Sequence, residues 1–516
     1  MENMVEIVRG FGVERPDAPM LTLGDETRTY AQQYERAQRV ANAMAAAGVG
    51  SQDRIAFLDK NSLEYFDVVF GGWLLNAVTV AVNWRLAPPE MEYIVNNSEA
   101  KVLVVHEEFL DHLAAFEAQL TFVKKVVVIG SSPAHDSFEE WVTSHPDGDP
   151  GTVPDPGDVA MQLYTSGTTG LPKGAQLTHA NLTVLLDATD DWQVQPDSVS
   201  LVAMPLFHIG GGGWALVALA NGAHDVLMRD IDPMAILGVI ETNRITHAFL
   251  VPAVLQFLLM VPDASSRDLS SLELMFYGAS PITEDVLITS MEQLGCGFVQ
   301  LYGLTETTGA ITALAPEDHD PGGDRQHLLR SAGAPMPGVD IRIVDPDSNG
   351  TMPDGEVGEI WIRSPQNMLG YWKMDAETAA ALPGDNWFRS GDAGYLRDGY
   401  LFIHDRVKDM IISGGENVYP AEVENALMAH PAIADVAVIG VPHDRWGETP
   451  KAIVVPAEGQ TLDPAEVIAF ARERLAGFKC PTSVDTIDVI PRNPSGKVLK
   501  RELREPYWEG HERRVS

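Results

Sequence analysis

Cysteine is almost missing from this 516-residue chain: Cys296 and Cys480 stand far apart, with no metal-ligand spacing around either. That argues against a disulfide framework and a zinc site, and makes a reducing cytoplasm the expected compartment. Long apolar runs are lacking too. The most hydrophobic stretches, 68–82 and 248–261, are interrupted by Asn76 or by Pro252 and Gln256, and both are too short to span a bilayer. Buried core segments are expected there. The N-terminus MENMVEIVRG has no signal-peptide core, and the terminal RRVS matches no anchor or address signal.

Positive charge is scarce. Against 73 Asp+Glu stand 36 Lys+Arg, a formal net charge of -37 that repels nucleic acid and anionic lipid in bulk. Anionic ligands must therefore be met by locally placed cations or metal ions. No lysine lies between Lys173 and Lys373, so each lysine inside a motif carries more information than it would in a basic protein. Internal repeats and low-complexity tracts are also absent.

What is present is a turn-rich loop at 164–174, YTSGTTGLPKG, directly after the strand-like run 159–163. Gly167, Gly170 and Gly174 permit close backbone approach, Thr165, Ser166, Thr168 and Thr169 offer hydroxyl donors, and Lys173 brings a charge. The composition suits a polyphosphate. It is not a Walker loop, because glycine follows the lysine where Ser/Thr would hold Mg²⁺. A solvated Ser/Thr/Gly loop is the bland alternative.

At this length at least two domains are expected. Helical spacing over 30–47, closed by Gly48, precedes a strand at 54–58; Asn61 or Ser62 can cap a helix running to 75, and apolar strands follow at 102–105 and 126–129. The Pro/Gly/Asp-rich stretch 145–158 reads as a connector, after which strands at 223–228, 246–251, 272–277 and 298–302 alternate with helices. Ser280 is the expected cap of the helix between the last two strands, with Pro281 in its first turn. Such alternation predicts a parallel α/β domain with ligands at the carboxyl ends of its strands, which makes 278–281 and 303–306 site candidates. Gly/Pro-punctuated strands over 339–363 predict a small barrel-like subdomain. From about Asp405 the chain reads as α+β, with a helix at 420–428, strands at 436–441 and 452–456, and a helix at 464–475. The expected architecture is a large N-terminal domain, 1–404, of α/β sheets plus the β-barrel-like subdomain, and a smaller mobile α+β domain, 405–516.

Seven stretches stand in order: YTSGTTGLPKG (164–174), MPLFHIGGGG (204–213), YGASP (277–281), YGLTETTG (302–309), WFRSGD (387–392), DRVKDMIISGGENVYPAEVE (405–424) and PRNPSGK (491–497). Together they resemble the ANL superfamily of adenylate-forming enzymes, most nearly the bacterial fatty acyl-CoA synthetases, over nearly the whole chain. The resemblance implies attack of a carboxylate on the α-phosphate of ATP, then thiolysis of the acyl-adenylate by coenzyme A. Lys497 matches the lysine that bridges carboxylate and α-phosphate. Glu306 matches the Mg²⁺-coordinating glutamate, and Thr305 a phosphate-binding hydroxyl. Thr165, Ser166, Gly167, Thr168, Thr169 and Lys173 would hold the β- and γ-phosphates. Asp392 would accept the ribose hydroxyls with Arg406 nearby, and Gly278, Ala279, Tyr302 and Gly303 would line the adenine slot.

By the same resemblance, Ser413, Gly414 and Gly415 flank the pantetheine path, and Lys408 is the hinge between two orientations of the C-terminal domain. His208 would gate the junction of acyl pocket and thiol tunnel. Gly210, Gly211, Gly212 and Gly213 are expected to open a deep apolar slot with Trp214 as one wall, suited to an alkyl chain or a fused-ring acid. The implied activity is ligation of CoA to a medium- or long-chain fatty acid, with ATP, Mg²⁺, CoA and a small carboxylic acid as partners and neither nucleic acid nor a membrane span. An aromatic or steroid-type acid, adenylation without CoA transfer, transfer to a carrier protein, a silent binding relative and a luciferase-like oxygenase remain open, as does a homodimer.

Overall fold

The computed structural model describes residues 3–165, 171–262, 264–346, 348–406, 409–413, 416–443, 445–492 and 498–508. Ser166, Gly167, Thr168, Thr169, Lys408, Gly414, Gly415 and Lys497 lie outside the described residues, as does the side chain of Arg406. Backbone packing divides the chain into two compact units: 1–329 with 333–340 and 363–388, and 330–332 with 341–362 and 389–516.

Two large sheets build the first unit. Among the described residues one sheet has nine strands, and its central run pairs Gly297–Leu304, Leu274–Gly278, His247–Leu250, Val199–Val202, His224–Leu227 and Pro19–Leu23 in parallel. The other has eight, with Val159–Thr165, Val78–Ala81, Arg54–Leu58, Val102–His106 and Lys125–Ile129 parallel at its heart. These strands are apolar on both faces because helices cover them, in keeping with the runs VLVV and VVVI. In the nine-stranded sheet the chain leaves Val199–Val202 toward His224–Leu227 on one side, and later returns to its other side as His247–Leu250. That reversal opens a crevice at the carboxyl ends of these strands, the place where open α/β sheets bind ligands.

Local sequence explains the helices around this crevice, with two differences from expectation. Tyr30–Ala46 starts at a reciprocal box in which the Thr29 hydroxyl accepts the Gln32 N–H and the Gln32 amide oxygen accepts the Thr29 N–H. Leu63–Leu74 begins after Ser62, whose side chain makes no capping bond. Asn61 instead ties loops together, donating to the Met204 and Met228 carbonyls and accepting the Leu206 N–H. The helix after Leu274–Gly278 starts at Glu284 and is capped by Thr283, which accepts the Val286 N–H at 3.4 Å, and not by Ser280. The reason is Ala279, whose left-handed φ of 64° turns the chain away before a helix can begin.

Among the described residues the second unit carries a four-stranded sheet in the order Asp340–Val344, Gly358–Arg363, Trp387–Arg397, Tyr400–Arg406, and a five-stranded one centred on the long hairpin Ile433–His443 and Gly447–Pro456. Helices Pro420–Met428 and Pro464–Arg472 bury Val423, Leu427, Val467 and Ala471 against that hairpin. Both start with proline, which fixes a helical φ where no N–H is needed. Among the described residues no helix is long and apolar enough to cross a membrane. The Cys296 thiol is pushed up to about 12 by burial, which leaves it protonated and inert.

Asp225 sits mid-sheet on His224–Leu227, between Ser200 and Leu21 of the flanking strands, and is fully buried. Burial pushes its carboxyl well above the usual range, against a weaker opposing contact from the Ser200 hydroxyl. A folded-state pKa raised above the unfolded one gives stability that is complete below the ordinary carboxylate pKa and declines as pH rises toward the folded value. Asp225→Asn, which mimics the protonated acid, is expected to flatten that decline. Urea unfolding at pH 5 and pH 8 should show the variant gaining on the parent at the higher pH; parallel pH dependences would contradict it.

Candidate active site

The stem of the 164–174 loop is an antiparallel ladder between Val159–Thr165 and Lys173–Thr178, and it places Thr165 directly opposite Lys173. A third, two-residue strand, Gly370–Tyr371, pairs with the second of these, Tyr371 opposite Ala175. Lys173 Nζ therefore lies 5.1 Å from the centre of the Tyr371 ring, within cation–π range. The Tyr371 hydroxyl donates to Glu306 Oε1 at 2.9 Å, and the Thr165 hydroxyl points at the same oxygen at 3.4 Å. The hairpin and the Gly370–Tyr371 strand thus converge on the carboxylate of a third segment, distant in sequence from both.

Glu306 is held there by its backbone. Strand Gly297–Leu304 runs into a single 3-10 turn, Thr305–Thr307, closed by the Leu304 N–H donating to the Thr307 hydroxyl at 2.9 Å. Met368 N–H donates to the Glu306 carbonyl at 2.8 Å, and the Thr308 hydroxyl donates to the Gln366 carbonyl at 2.6 Å. Glu306 Oε2 makes no hydrogen bond among the described residues. A hard carboxylate oxygen fixed in place, with a second one spare, fits Mg²⁺ chemically.

Gly278 and Gly303 owe their identity to the sheet. A Cβ at Gly303 would stand 1.7 Å from the Gly309 carbonyl oxygen, and one at Gly278 2.1 Å from that of Leu301. Gly278, Ala279 and half-buried Tyr302 lie at the ends of neighbouring strands, so the sequence-predicted adenine residues are brought together.

His208 is the N-cap of helix Ile209–Ala220, which begins at the reversal point of the nine-stranded sheet, and its ring lies 4.4 Å from that of Phe207. The expected four-glycine slot is corrected here. A Cβ at Gly211 would meet the Pro205 carbonyl at 2.2 Å, and one at Gly212 the Leu206 carbonyl at 2.9 Å, so both glycines seat the helix on the 204–206 backbone and open no space. Gly210 faces Phe249, at 3.3 Å from such a Cβ, and Gly213 faces Ile209. Trp214 is buried, donates from Nε1 to the Leu201 carbonyl, and packs with Trp192, Phe249 and Phe276.

In the second unit, buried Asp392 lies opposite Arg406 in the ladder of Trp387–Arg397 with Tyr400–Arg406, and its N–H donates to the Ser390 hydroxyl at 3.0 Å. Buried Ser413 ends strand Ile411–Ser413, opposite Glu416 of Glu416–Val418. One further group resembles a metal site: ligand atoms of Asp59, His106 and Glu108 lie within 4.8 Å of one another. The Arg229 guanidinium already fills it, bonded to both Asp59 oxygens at 2.8 and 3.2 Å and in contact with Glu108.

Tyr371 carries no mark in the sequence. A lone Gly-Tyr-Trp reads as core, and only strand pairing reveals its reach. Tyr371→Phe keeps the ring under Lys173 and removes the donor to Glu306, and a charge-assisted hydrogen bond of that kind contributes about 1.5–3 kcal/mol. Adenylation is expected to fall about tenfold, measured by pyrophosphate exchange, beside a modest drop in thermal stability. A parental rate would make Tyr371 a packing residue only.

The family profile "AMP-binding enzyme" matches residues 11–372, and "AMP-binding enzyme C-terminal domain" matches 422–497. This chain belongs to the ANL superfamily. Within it the chain falls in the AMP-forming acyl- and aryl-CoA ligase family. It is 39% identical to the fatty acid–[acyl-carrier-protein] ligase ScoC of Streptomyces coeruleorubidus, over 100% of this chain and 98% of that protein. Feruloyl-CoA synthase of an Amycolatopsis species is 40% identical over 95% and 96%. The crystal structure of ATP-bound MatB from Rhodopseudomonas palustris superposes with a TM-score of 0.90 at 31% identity, covering 99% of this chain and 100% of that one. This ANL member therefore has the superfamily's mixed α/β fold, with a large N-terminal and a smaller C-terminal domain.

Proposed function

We propose that this chain activates a medium- or long-chain fatty acid with ATP and transfers the acyl group to coenzyme A. The convergence of Thr165 and Tyr371 on Glu306, with Lys173 over the Tyr371 ring, at the carboxyl ends of parallel strands, carries the reading. A substrate carboxylate oxygen bonds to the α-phosphorus, the bond from that phosphorus to the bridging oxygen breaks, and pyrophosphate leaves. Lys497 neutralises the meeting anions, and Ser166, Gly167, Thr168, Thr169 and Lys173 grip the departing phosphates. Glu306 is the residue that would hold Mg²⁺, which supplies charge neutralisation at the phosphates when bound. Asp392 and Arg406 take the ribose, and Gly278, Ala279 and Tyr302 the base.

In the second step the domain 405–516 turns about Lys408 and presents Ser413, Gly414 and Gly415 to the pantetheine arm. The thiol sulfur bonds to the acyl carbon, AMP departs and the thiol proton passes to solvent. His208 gates the two compartments. The fatty acyl preference is supported by the resemblance to ScoC. That same relative favours one second reading, with a carrier-protein thiol as acceptor. An AMP-forming assay over fatty, aryl and steroidal acids, run with CoA and with a phosphopantetheinylated carrier protein, tests all of this. Thioester on CoA with fatty acids is the expected result; pyrophosphate release without any thioester would sink the ligase reading.

Phe249 packs against Gly210 at the start of helix Ile209–Ala220, and in this reading it is the wall of the acyl site that sets acyl length. Phe249→Ala is expected to move the optimum toward longer acids, with kcat/KM for the longest improved about tenfold relative to the shortest, since each added buried methylene is worth about 0.8 kcal/mol. An unshifted length profile would place the pocket elsewhere.

A further inference from the structure

At the amino ends of the eight-stranded sheet's parallel strands, away from the phosphate loop, lies a cavity of about 150 Å³ lined by Asp53, Arg54, Glu99, Lys101, Phe122 and Lys124. Its charges do not balance. Lys101 pairs with Asp53 at 2.5 Å and also reaches the Gly48 carbonyl, while Glu99 pairs with Lys373 at 2.5 Å. Both carboxylates are thus engaged. Exposed Lys124 has no ion pair among the described residues. Arg54 is 8% exposed, yet its hydrogen-bond partners are neutral: the Gln52 carbonyl at 2.6 Å and Gln162 Oε1 at 3.4 Å. Its guanidinium otherwise rests on the Trp372 ring, 3.6 Å from the centroid. Burial draws the Arg54 pKa below the ordinary arginine value, against weaker opposing pulls from Tyr164, Glu99 and Asp53, none of which it bonds. In a chain of net charge -37, a cavity with two cations that make no ion pair among the described residues is out of character.

This cavity connects to the phosphate hairpin. Trp372 N–H donates to the Gly174 carbonyl at 2.8 Å, next to Lys173, and Trp372 follows Tyr371, which holds Glu306. Trp372 Nε1 donates to the Asn97 carbonyl, and Asn97 Oδ1 accepts from Tyr164, which in turn accepts from Gln162, the partner of Arg54. We propose that the cavity is a binding site for a small oxyanion of the phosphate type, bridging Arg54 and Lys124, and that its occupancy is transmitted through Trp372 to the ATP-phosphate hairpin. An anion there gives Arg54 a directly bonded counter-charge, which it lacks, and draws its guanidinium off the indole, which loosens the Trp372 anchor on Gly174. Binding stands independently of the proposed function; its effect on ATP rests on that reading.

The test is calorimetric titration of inorganic phosphate into the full chain saturated with Mg²⁺ and a non-cleavable ATP analogue, at ionic strength held constant with potassium chloride. One phosphate per chain is expected in the parent. Lys124→Glu, at an exposed position outside the ATP and acyl sites, should keep parental basal adenylation and bind phosphate at least about tenfold more weakly, as loss of a charge-assisted contact requires. Phosphate should also shift the parent's KM for ATP by about fivefold, at the low end of ordinary coupling between sites, and leave that of Lys124→Glu unmoved. No binding by the parent, or equal binding by both proteins, overturns the site; binding with an unmoved KM overturns the coupling. An inactive enzyme that still binds phosphate in a Lys124-dependent way would refute the ligase reading and uphold the site.

Discussion

Lys497→Ala should lower acyl-adenylate formation by about three orders of magnitude, the scale on which loss of a preorganised charge partner acts, while thioester formation from supplied acyl-adenylate stays near the parental rate. The first half-reaction brings a carboxylate up to a triphosphate, so two anions must close to bonding distance. The chain's bulk charge of -37 opposes this, and the nearest lysine along the chain, Lys500, is paired with Glu424 at 3.0 Å. Lys173 is not expected to take over: it stands on the hairpin stem with its ammonium over the Tyr371 ring, and in the proposed reading it serves the departing phosphates. Thiolysis has no such requirement: a neutral thiol approaches an activated acyl carbon, and AMP departs with its charge already spread over the phosphate. Pyrophosphate exchange reads the first step, and rapid mixing of synthetic acyl-adenylate with CoA reads the second. Equal loss of both would show that Lys497 supports the fold or both reactions alike, and the division of labour between the domain's two orientations would fall.

Much of this arrangement is legible in the sequence because punctuation and periodicity are local. Helix Pro420–Met428 runs between the residues expected, since proline sets its start and the apolar spacing its length. The strands at 54–58 and 102–105 are marked by apolar runs that only a covered parallel sheet can use. Where local rules fail, a neighbour distant in sequence or an unusual backbone angle decides. Ser280 has the chemistry of a cap, but left-handed Ala279 postpones the helix to Thr283. The glycines at 211 and 212 look like open space, yet carbonyls of residues 205 and 206 fill it. Tyr371 and the Arg54 cavity are invisible in the sequence because each exists only after separate strands pair side by side.

Glu306→Gln is the second large effect expected: adenylation about a hundredfold slower or more, with a higher Mg²⁺ requirement and an intact fold. The substitution keeps shape and keeps an acceptor oxygen for the Tyr371 and Thr165 hydroxyls, so the convergence of the three segments survives. What it removes is the negative charge and the second hard oxygen, the two properties a magnesium ion selects. The backbone clamp from Met368 N–H and the Thr305–Thr307 turn is untouched, which is why thermal stability should stay within a few tenths of a kcal/mol or about a degree. Calorimetry of ATP binding across a magnesium series separates the two causes. If Glu306 acts through the ion, the magnesium dependence of the variant's ATP affinity moves to higher magnesium concentrations, and manganese, a stronger binder at the same ligands, restores part of it. If the carboxylate serves only to fix Tyr371 and the hairpin, the substituted amide does that job equally well, and the magnesium dependence remains parental. The second outcome would return Glu306 to the architecture and leave the phosphates to Lys173 and the hydroxyl loop alone.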